Sequence, residues 1–453
     1  MIKAAQNWKV LTSISVFLLL VIGGILIVVP LLTSNQPKQV TLTYWGFWDP
    51  EVIKPLIDEY QSTHPNVTVN YERKVPENYR ETLQTRIASG TGPDIFRFQN
   101  SWLPMLRGQL STVPSSIYSP AKMEETFYPI VKGDLKTGGA YYGIPLEFDG
   151  LALVYNQDMF NAKGYKSPPS TWDQLRNFAA TLTVKDEKGN ILVGGAALGT
   201  ENNVEYFSDI IGLMMLQNGV EMIKDGQVGF DQSFSKDEAK RNLGVDALSF
   251  YVNFTKVDKV WSESLPSSIE AFAEGKAAMI FIPSDRLFDV LYLSRQKGIN
   301  LKLGVAPVPQ LEENSPQKVA WGRYLAEGVS RASKNQSDAW SFVKFLSENE
   351  SLRKLYTLEK DKLGVGEPYS RIDMASLLAN DLLQGAYINQ AYSAKNWYLN
   401  SQTFDGGLND LLVGSFVKVV DVALRGDNAS SALSTAAKEV AVALANYGLV
   451  NSY

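Results

Sequence analysis

Cysteine is absent from the 453 residues. That excludes disulfides, thiolate nucleophiles, cysteine zinc sites and a lipid-modified N-terminal cysteine. Histidine occurs once, at His64. No zinc site of two or three imidazoles can be built, and Ser-His-Asp chemistry is open only through that one ring. No long run of lysine or arginine occurs and the formal net charge is -5. Nothing here offers a footprint for a phosphate backbone, so nucleic acid is not an expected partner. Gly-x-Ser-x-Gly, His-Glu-x-x-His, Gly-x-x-x-x-Gly-Lys and Gly-x-Gly-x-x-Gly are all missing, so hydrolase, zincin, nucleotide and dinucleotide readings lack their signatures. No cofactor or metal is implied.

What is present begins with an apolar run. Lys3 and Lys9 precede residues 10–32, within which 16–32 carry no charged or strongly polar side chain. The run can span a bilayer and is longer than a usual secretory h-region. It reads as an uncleaved signal anchor whose two lysines keep the N-terminus in the cytoplasm and place the chain after about Ser34 outside. The alternative is a long signal peptide cleaved near Thr33 or Ser34; both readings export the main body. Residues 34–39 are polar and read as a short tether. The remainder, within a chain that is 45% hydrophobic and 20% charged, is ordinary globular composition and long enough for two domains.

Val40, Leu42 and Tyr44 alternate with threonines as a strand does, and a helix with apolar positions Val52, Leu56 and Tyr60 follows. Val67, Val69 and Tyr71 form a second alternating run, Tyr79, Leu83 and Ile87 line a second helix, and residues 94–98 are a third strand. A βαβαβ order over 40–98 predicts an open, largely parallel sheet, with ligands beyond the carboxyl ends of its strands. The loops after Tyr44, Tyr71 and Phe98 are therefore site candidates. Further on, 151–155, 278–282 and 303–309 read as strands, and Thr171 as the N-cap of a helix. Helices are predicted at 207–216, 337–346 and 416–424, and a terminal helix is capped by Ser430 or Ser431.

In order, the segments LTYWGFWDPEVIKPLIDEYQSTHPNVTVNYE, RIASGTGPDIFRF, YYGIPLEFDGLALVYNQDMF, STWDQL, AFAEGKAAMIFIPS and LGVAPVP resemble the extracellular solute-binding proteins of carbohydrate ABC transporters, the maltodextrin-binding family. The resemblance runs from Val40 to about Leu444. It implies an α/β periplasmic-binding-protein-like fold: two lobes, each with a mixed, mostly parallel sheet flanked by helices, joined by crossover hinge strands. With 1–33 (cytoplasmic stub and transmembrane anchor) and 34–39 (tether) read from the residues, it divides the rest into 40–147 plus 325–366 (lobe one) and 148–324 plus 367–453 (lobe two). It implies a monomer that binds a small polar ligand, a mono- or oligosaccharide, by hinge closure. Delivery would be to ABC permease subunits at the cytoplasmic membrane.

Sugars present apolar C–H faces and a rim of hydroxyls, so their sites need aromatic planes and polar side chains. Both types stand at predicted strand ends and crossovers. They are Trp45, Trp48 and Asp49 after the first strand; Phe98, Gln99 and Asn100 after the third; Asp149 at the first crossover; Ser284 and Asp285 after residues 278–282; Trp321 and Arg323 at the second crossover; and Trp397 in a late aromatic segment. Lobe two adds Glu201, Asn202 or Tyr206. Phe98 and Trp102 could equally be core, Asp49 and Asp149 could be caps, and Arg323 could be a solvated residue. The lipobox cysteine usual in the family is missing. The Asp-Arg pair of the maltodextrin binder is also missing around Trp102, so maltose does not carry over as ligand. The rival readings are a membrane-anchored extracellular carbohydrate-active enzyme using Glu147 and Asp149, and a same-fold receptor for a non-sugar solute. A basic or multi-carboxylate cleft would favour the latter.

Overall fold

The computed structural model describes residues 38–236 and 239–451. The expected membrane segment at 16–32 lies outside them. Among the described residues no helix is long and apolar enough to cross a membrane.

In chain order the elements that position the site are β1 (Val40–Gly46), α1 (Pro50–Thr63), β2 (Val67–Arg73), α2 (Tyr79–Ala88), β3 (Ile95–Gln99), β4 (Ile144–Pro145), β5 (Asp149–Gly150), β6 (Ala152–Asn156), α3 (Trp172–Leu182), α4 (Phe207–Gln217), α5 (Leu243–Lys256), β7 (Met279–Ile282), β8 (Leu303–Ala306), β9 (Ala320–Arg323), β10 (Leu325–Val329), α6 (Asn349–Leu363), β11 (Ala394–Lys395), α7 (Leu408–Arg425) and α8 (Ala429–Ala445). The alternating β1 pairs in parallel with β2 from Val40↔Val67 to Gly46↔Arg73, and in parallel with β3 at Tyr44↔Ile95. The βαβαβ expectation holds. β10 then joins antiparallel to β3, and β4 antiparallel to β10, completing a sheet of order β2-β1-β3-β10-β4.

The second sheet, β7-β6-β8, corrects the expectation of a mostly parallel sheet, because both of its pairings are antiparallel. A short apolar run such as 279–282 announces a buried strand without stating its direction. Thr171 caps α3 as expected, its hydroxyl accepting from Gln174 N at 3.2 Å. The terminal helix α8 is capped instead by Asn428, which accepts from Ser431 N at 3.0 Å. Asparagine is as good an N-cap as serine, so the helix starts earlier than Ser430.

Between the two sheets lies a third of order β11-β9-β5, in which Gly322 pairs with Gly150 and Arg323 with Asp149. The chain crosses again where Glu147 bridges Tyr369 and Phe148 N donates to Pro368 O at 2.9 Å. A Cβ on Gly150 would sit 2.1 Å from Trp321 O, so only glycine lets the first two crossovers approach this closely.

Candidate functional site

A cavity of about 430 Å³ opens beyond the carboxyl ends of β1 and β3, where an open α/β sheet places its ligands. From the side of the first sheet it is lined by Trp48, Asp49, Arg73, Gln99 and Trp102, and from the side of the second by Tyr206, Asp285 and Arg286. Arg323 of β9 and residues 402–404 complete the wall.

Trp48 is fixed by three partners. The Arg97 guanidinium lies 3.6 Å from its ring centroid, and its indole N–H donates to Glu359 Oε1 at 2.7 Å and to Glu147 Oε1 at 3.2 Å. Arg97 in turn pairs with Glu147 and stands 3.5 Å from Glu327 Oε1. Burial opposes the charge on Arg97, but Glu147 and Glu327 outweigh it and hold the guanidinium protonated. Carboxylates outnumber cations here. Burial pushes Glu327 up to about 7, and burial followed by the charge of Glu147 raises Glu359 and Glu367 well above the ordinary carboxylate range. Glu147, Glu359 and Glu367 each bring an oxygen within 4.8 Å of the others. That spacing suits a shared proton or a hard cation, although the Trp48 N–H and Arg97 already occupy part of it.

These raised acids set a pH dependence. Their folded forms keep protons that the unfolded chain releases above about pH 4–5, so stability is fullest below that range and falls as pH rises through about 7. The urea midpoint is expected to be lower at about pH 8 than at about pH 5.5. A midpoint that climbed over that interval would contradict the assignment.

Of the residues singled out from the sequence, Glu201 and Asn202 do not line this cavity, and six of the other thirteen do: Trp48, Asp49, Gln99, Tyr206, Asp285 and Arg323. Asp49 also caps α1, accepting from Glu51 N at 3.0 Å, and lies 3.5 Å from Arg73. Arg286 donates to the Tyr206 hydroxyl at 3.3 Å. Asp149 and Ser284 stand just behind the wall. The Asp149 carboxylate accepts from Gly150 N (2.7 Å), Ser284 N (2.8 Å) and Asp285 N (3.2 Å), so it holds in place the turn that presents Asp285. Glu147 and Asp149 therefore face different partners rather than one reacting bond.

The other five positions do not line it. Trp45 and Phe98 are 5% and 0% exposed and belong to the hydrophobic core on the two faces of the first sheet. Trp321 is fully buried, its N–H donating to Asp209 Oδ1 at 3.1 Å. Asn100 donates to Asp134 and accepts from Tyr324 N, and with Trp397 it lines a separate groove of about 1060 Å³.

The sequence profile of the bacterial extracellular solute-binding protein family matches residues 49–352, more than half of the chain. The chain belongs to that family. A relative of this solute-binding protein is the maltotriose-binding protein of Pyrococcus abyssi, 21% identical over 322 residues, which are 68% of this chain and 62% of the relative. Another is the sn-glycerol-3-phosphate-binding periplasmic protein of Escherichia coli O1:K1 / APEC, 23% identical over 341 residues, 71% and 73% of the two chains. Among solved structures, the sugar-binding protein MalE of Xanthomonas citri superposes with a TM-score of 0.70 at 20% identity, over 90% of this chain and 98% of that one. At that identity the superposition establishes the fold, an α/β periplasmic-binding-protein-like one. Members of the family bind solutes rather than transform them.

The solute-binding protein also lines its cavity with residues that sequence reasoning passed over, notably Phe404, Thr403, Glu359 and Glu367. Phe404 is 41% exposed and has φ +49, and Gln402 two residues before has φ +58. Left-handed backbone at bulky residues costs about 1–3 kcal/mol each and gathers where a side chain must be aimed. The signal available in the sequence was the Phe404-Asp405-Gly406-Gly407 turn ahead of α7, an aromatic beside a turn rather than on a strand.

Proposed function

We propose that this solute-binding protein captures a mono- or oligosaccharide between two lobes, closes on it by hinge bending, and presents it to the permease of an ABC importer. The observation that carries the reading is one cavity lined from both sheets by aromatic residues, Trp48 and Trp102 from the first and Tyr206 from the second, with the exposed Phe404 and polar side chains beside them. That is the composition a sugar requires. The names of the maltotriose-binding and sugar-binding relatives point the same way. Lobe one comprises 40–147 and 325–366, and lobe two 148–324 and 367–453. In support, α6 packs on α1, whereas α7 and α8 pack on α5. The thirteen residues singled out from the sequence are proposed as the ligand site only where they line the cavity. Residues 16–32 are proposed as the anchor and 34–39 as the tether, which would raise the local concentration of protein at the permease.

A ligand that touches both lobes favours the closed form by contacts the open form cannot make. Small-angle scattering should therefore give a smaller radius of gyration with saturating sugar. Phe404→Ala and Tyr206→Ala should each weaken sugar binding by about 1–3 kcal/mol, the range of stacking contacts. An unchanged radius of gyration together with wild-type affinity in both variants would place the site elsewhere.

A further inference from the structure

We propose, building on the carbohydrate reading and its two lobes, that Arg80 is a positioning residue for the ligand site and that it acts only in the closed form. Arg80 does not line the cavity. It stands on α2 of lobe one, buried, and its Nε donates to the main-chain oxygen of Asp405 in lobe two. Asp405 comes directly after Thr403 and Phe404, which do line the cavity.

The turn that carries these two residues moves as one block. The Asp405 carboxylate accepts from Gly407 N at 2.9 Å, Asn409 N at 3.0 Å and Asp410 N at 3.1 Å, tying the turn to the start of α7. Whatever fixes the Asp405 carbonyl therefore fixes Phe404 beside it. The backbone is left-handed at Gln402 and Phe404, with φ +58 and +49. Such conformations persist at bulky residues only where the surroundings impose them.

Lobe one supplies those surroundings. Gln84, one helical turn after Arg80, accepts from the guanidinium and donates to Met105 O at 2.9 Å, so Arg80 and Met105 are presented together. Gly407 lies against that pair: a Cβ there would sit 2.8 Å from Met105 Sδ and 3.3 Å from Arg80 Cζ. Leu408 N donates to Met105 Sδ at 3.4 Å, and Ser101 Oγ donates to Asn409 Oδ1 at 3.2 Å. Arg80 also stands 3.6 Å from Glu81, a contact that stays within lobe one. The others join lobe one to lobe two and cannot outlast a separation of the lobes. Among them the guanidinium is the charged donor, and charged hydrogen bonds are the stronger ones. One wall of the ligand site is thus held by the opposite lobe, so closure completes the site and opening loosens it.

The test pairs a distance with an affinity. Because the chain has no cysteine, nitroxide labels can be placed at Thr82→Cys on α2 and Leu411→Cys on α7, both exposed, and their separation read by pulsed EPR without any ligand. The labelled parent should show a short separation that loses population to a longer one in Arg80→Met, and likewise in Gly407→Ala, which pries the same contact apart by bulk. Calorimetry with glucose, cellobiose, maltotriose and N-acetylglucosamine supplies the affinity. For the sugar that binds, Arg80→Met should weaken binding about tenfold or more, and Arg80→Lys, which keeps a charged donor, by less. In a Phe404→Ala background the further effect of Arg80→Met should shrink to within about threefold, because the turn it holds no longer carries the ring. Unchanged separations in both variants overturn the inference. So does wild-type affinity in Arg80→Met, or an equal loss in both backgrounds, and either result leaves the carbohydrate reading standing. Shifted separations with no sugar bound keep the contact between the lobes and overturn the carbohydrate reading. Unchanged separations with no sugar bound overturn both.

Discussion

Arg97→Met should destabilise the folded protein by about 3–5 kcal/mol, the usual cost of removing one partner from a buried ion pair. Arg97 is the cation standing among Glu147, Glu327, Glu359 and Glu367, and it also covers the face of Trp48. Methionine replaces much of its volume, so packing loss is small and the measured deficit reports charge. Without the guanidinium, Glu327 can be buried only by keeping its proton. Its folded pKa then rises further above the unfolded value, and a raised acid loses stability as pH increases. The deficit is therefore greatest at neutral and alkaline pH and shrinks as pH approaches about 4–5, where the unfolded chain also holds its protons. Urea unfolding of wild type and variant at several pH values decides the matter. A deficit below about 1 kcal/mol at neutral pH, or one that grows on acidification, would show that the carboxylates are satisfied without Arg97.

The same cluster shows how far the sequence could be read. The first sheet was legible because its evidence is local: Val40, Leu42 and Tyr44 alternate, and the βαβαβ order prescribes parallel pairing. The place of the cavity followed from the same rule, since ligands sit past the carboxyl ends of such strands. The facing direction of individual aromatics was not legible. Trp45 and Trp48 are three residues apart at one strand end, yet Trp45 turns into the core while Trp48 reaches the cavity wall. Nothing in their identity separates them. Nor was the acid cluster legible, because Trp48 meets Glu359 across 311 residues of chain. Glu359 lies in α6, a helix for which no expectation was drawn from the sequence. Phe404 escaped because its exposure depends on two left-handed residues rather than on a periodic pattern.

Trp321 separates a packing role from a ligand role, and Trp321→Ala should cost about 3–5 kcal/mol of stability, the range for deleting a fully buried tryptophan. Its ring packs against Gly212 of α4 so closely that a Cβ there would lie 2.6 Å from two ring carbons. Its N–H satisfies Asp209 Oδ1, and Asp209 also accepts from Ser401 N at 2.7 Å and stands 3.9 Å from Arg323. Alanine would thus leave a cavity, remove one donor from a buried carboxylate and loosen the segment that carries Thr403 and Phe404 to the ligand. Trp321→Phe should recover most of the packing while still lacking the N–H, leaving a deficit of about 1–3 kcal/mol for the underbonded Asp209. Direct stacking on the sugar predicts the opposite ordering: near-normal stability, with affinity lost in the alanine variant and restored by phenylalanine. Thermal or urea unfolding of the two variants, paired with sugar titration at low temperature where both remain folded, distinguishes these outcomes. Near wild-type stability in Trp321→Ala would contradict a structural role for Trp321 in packing β9 against α4.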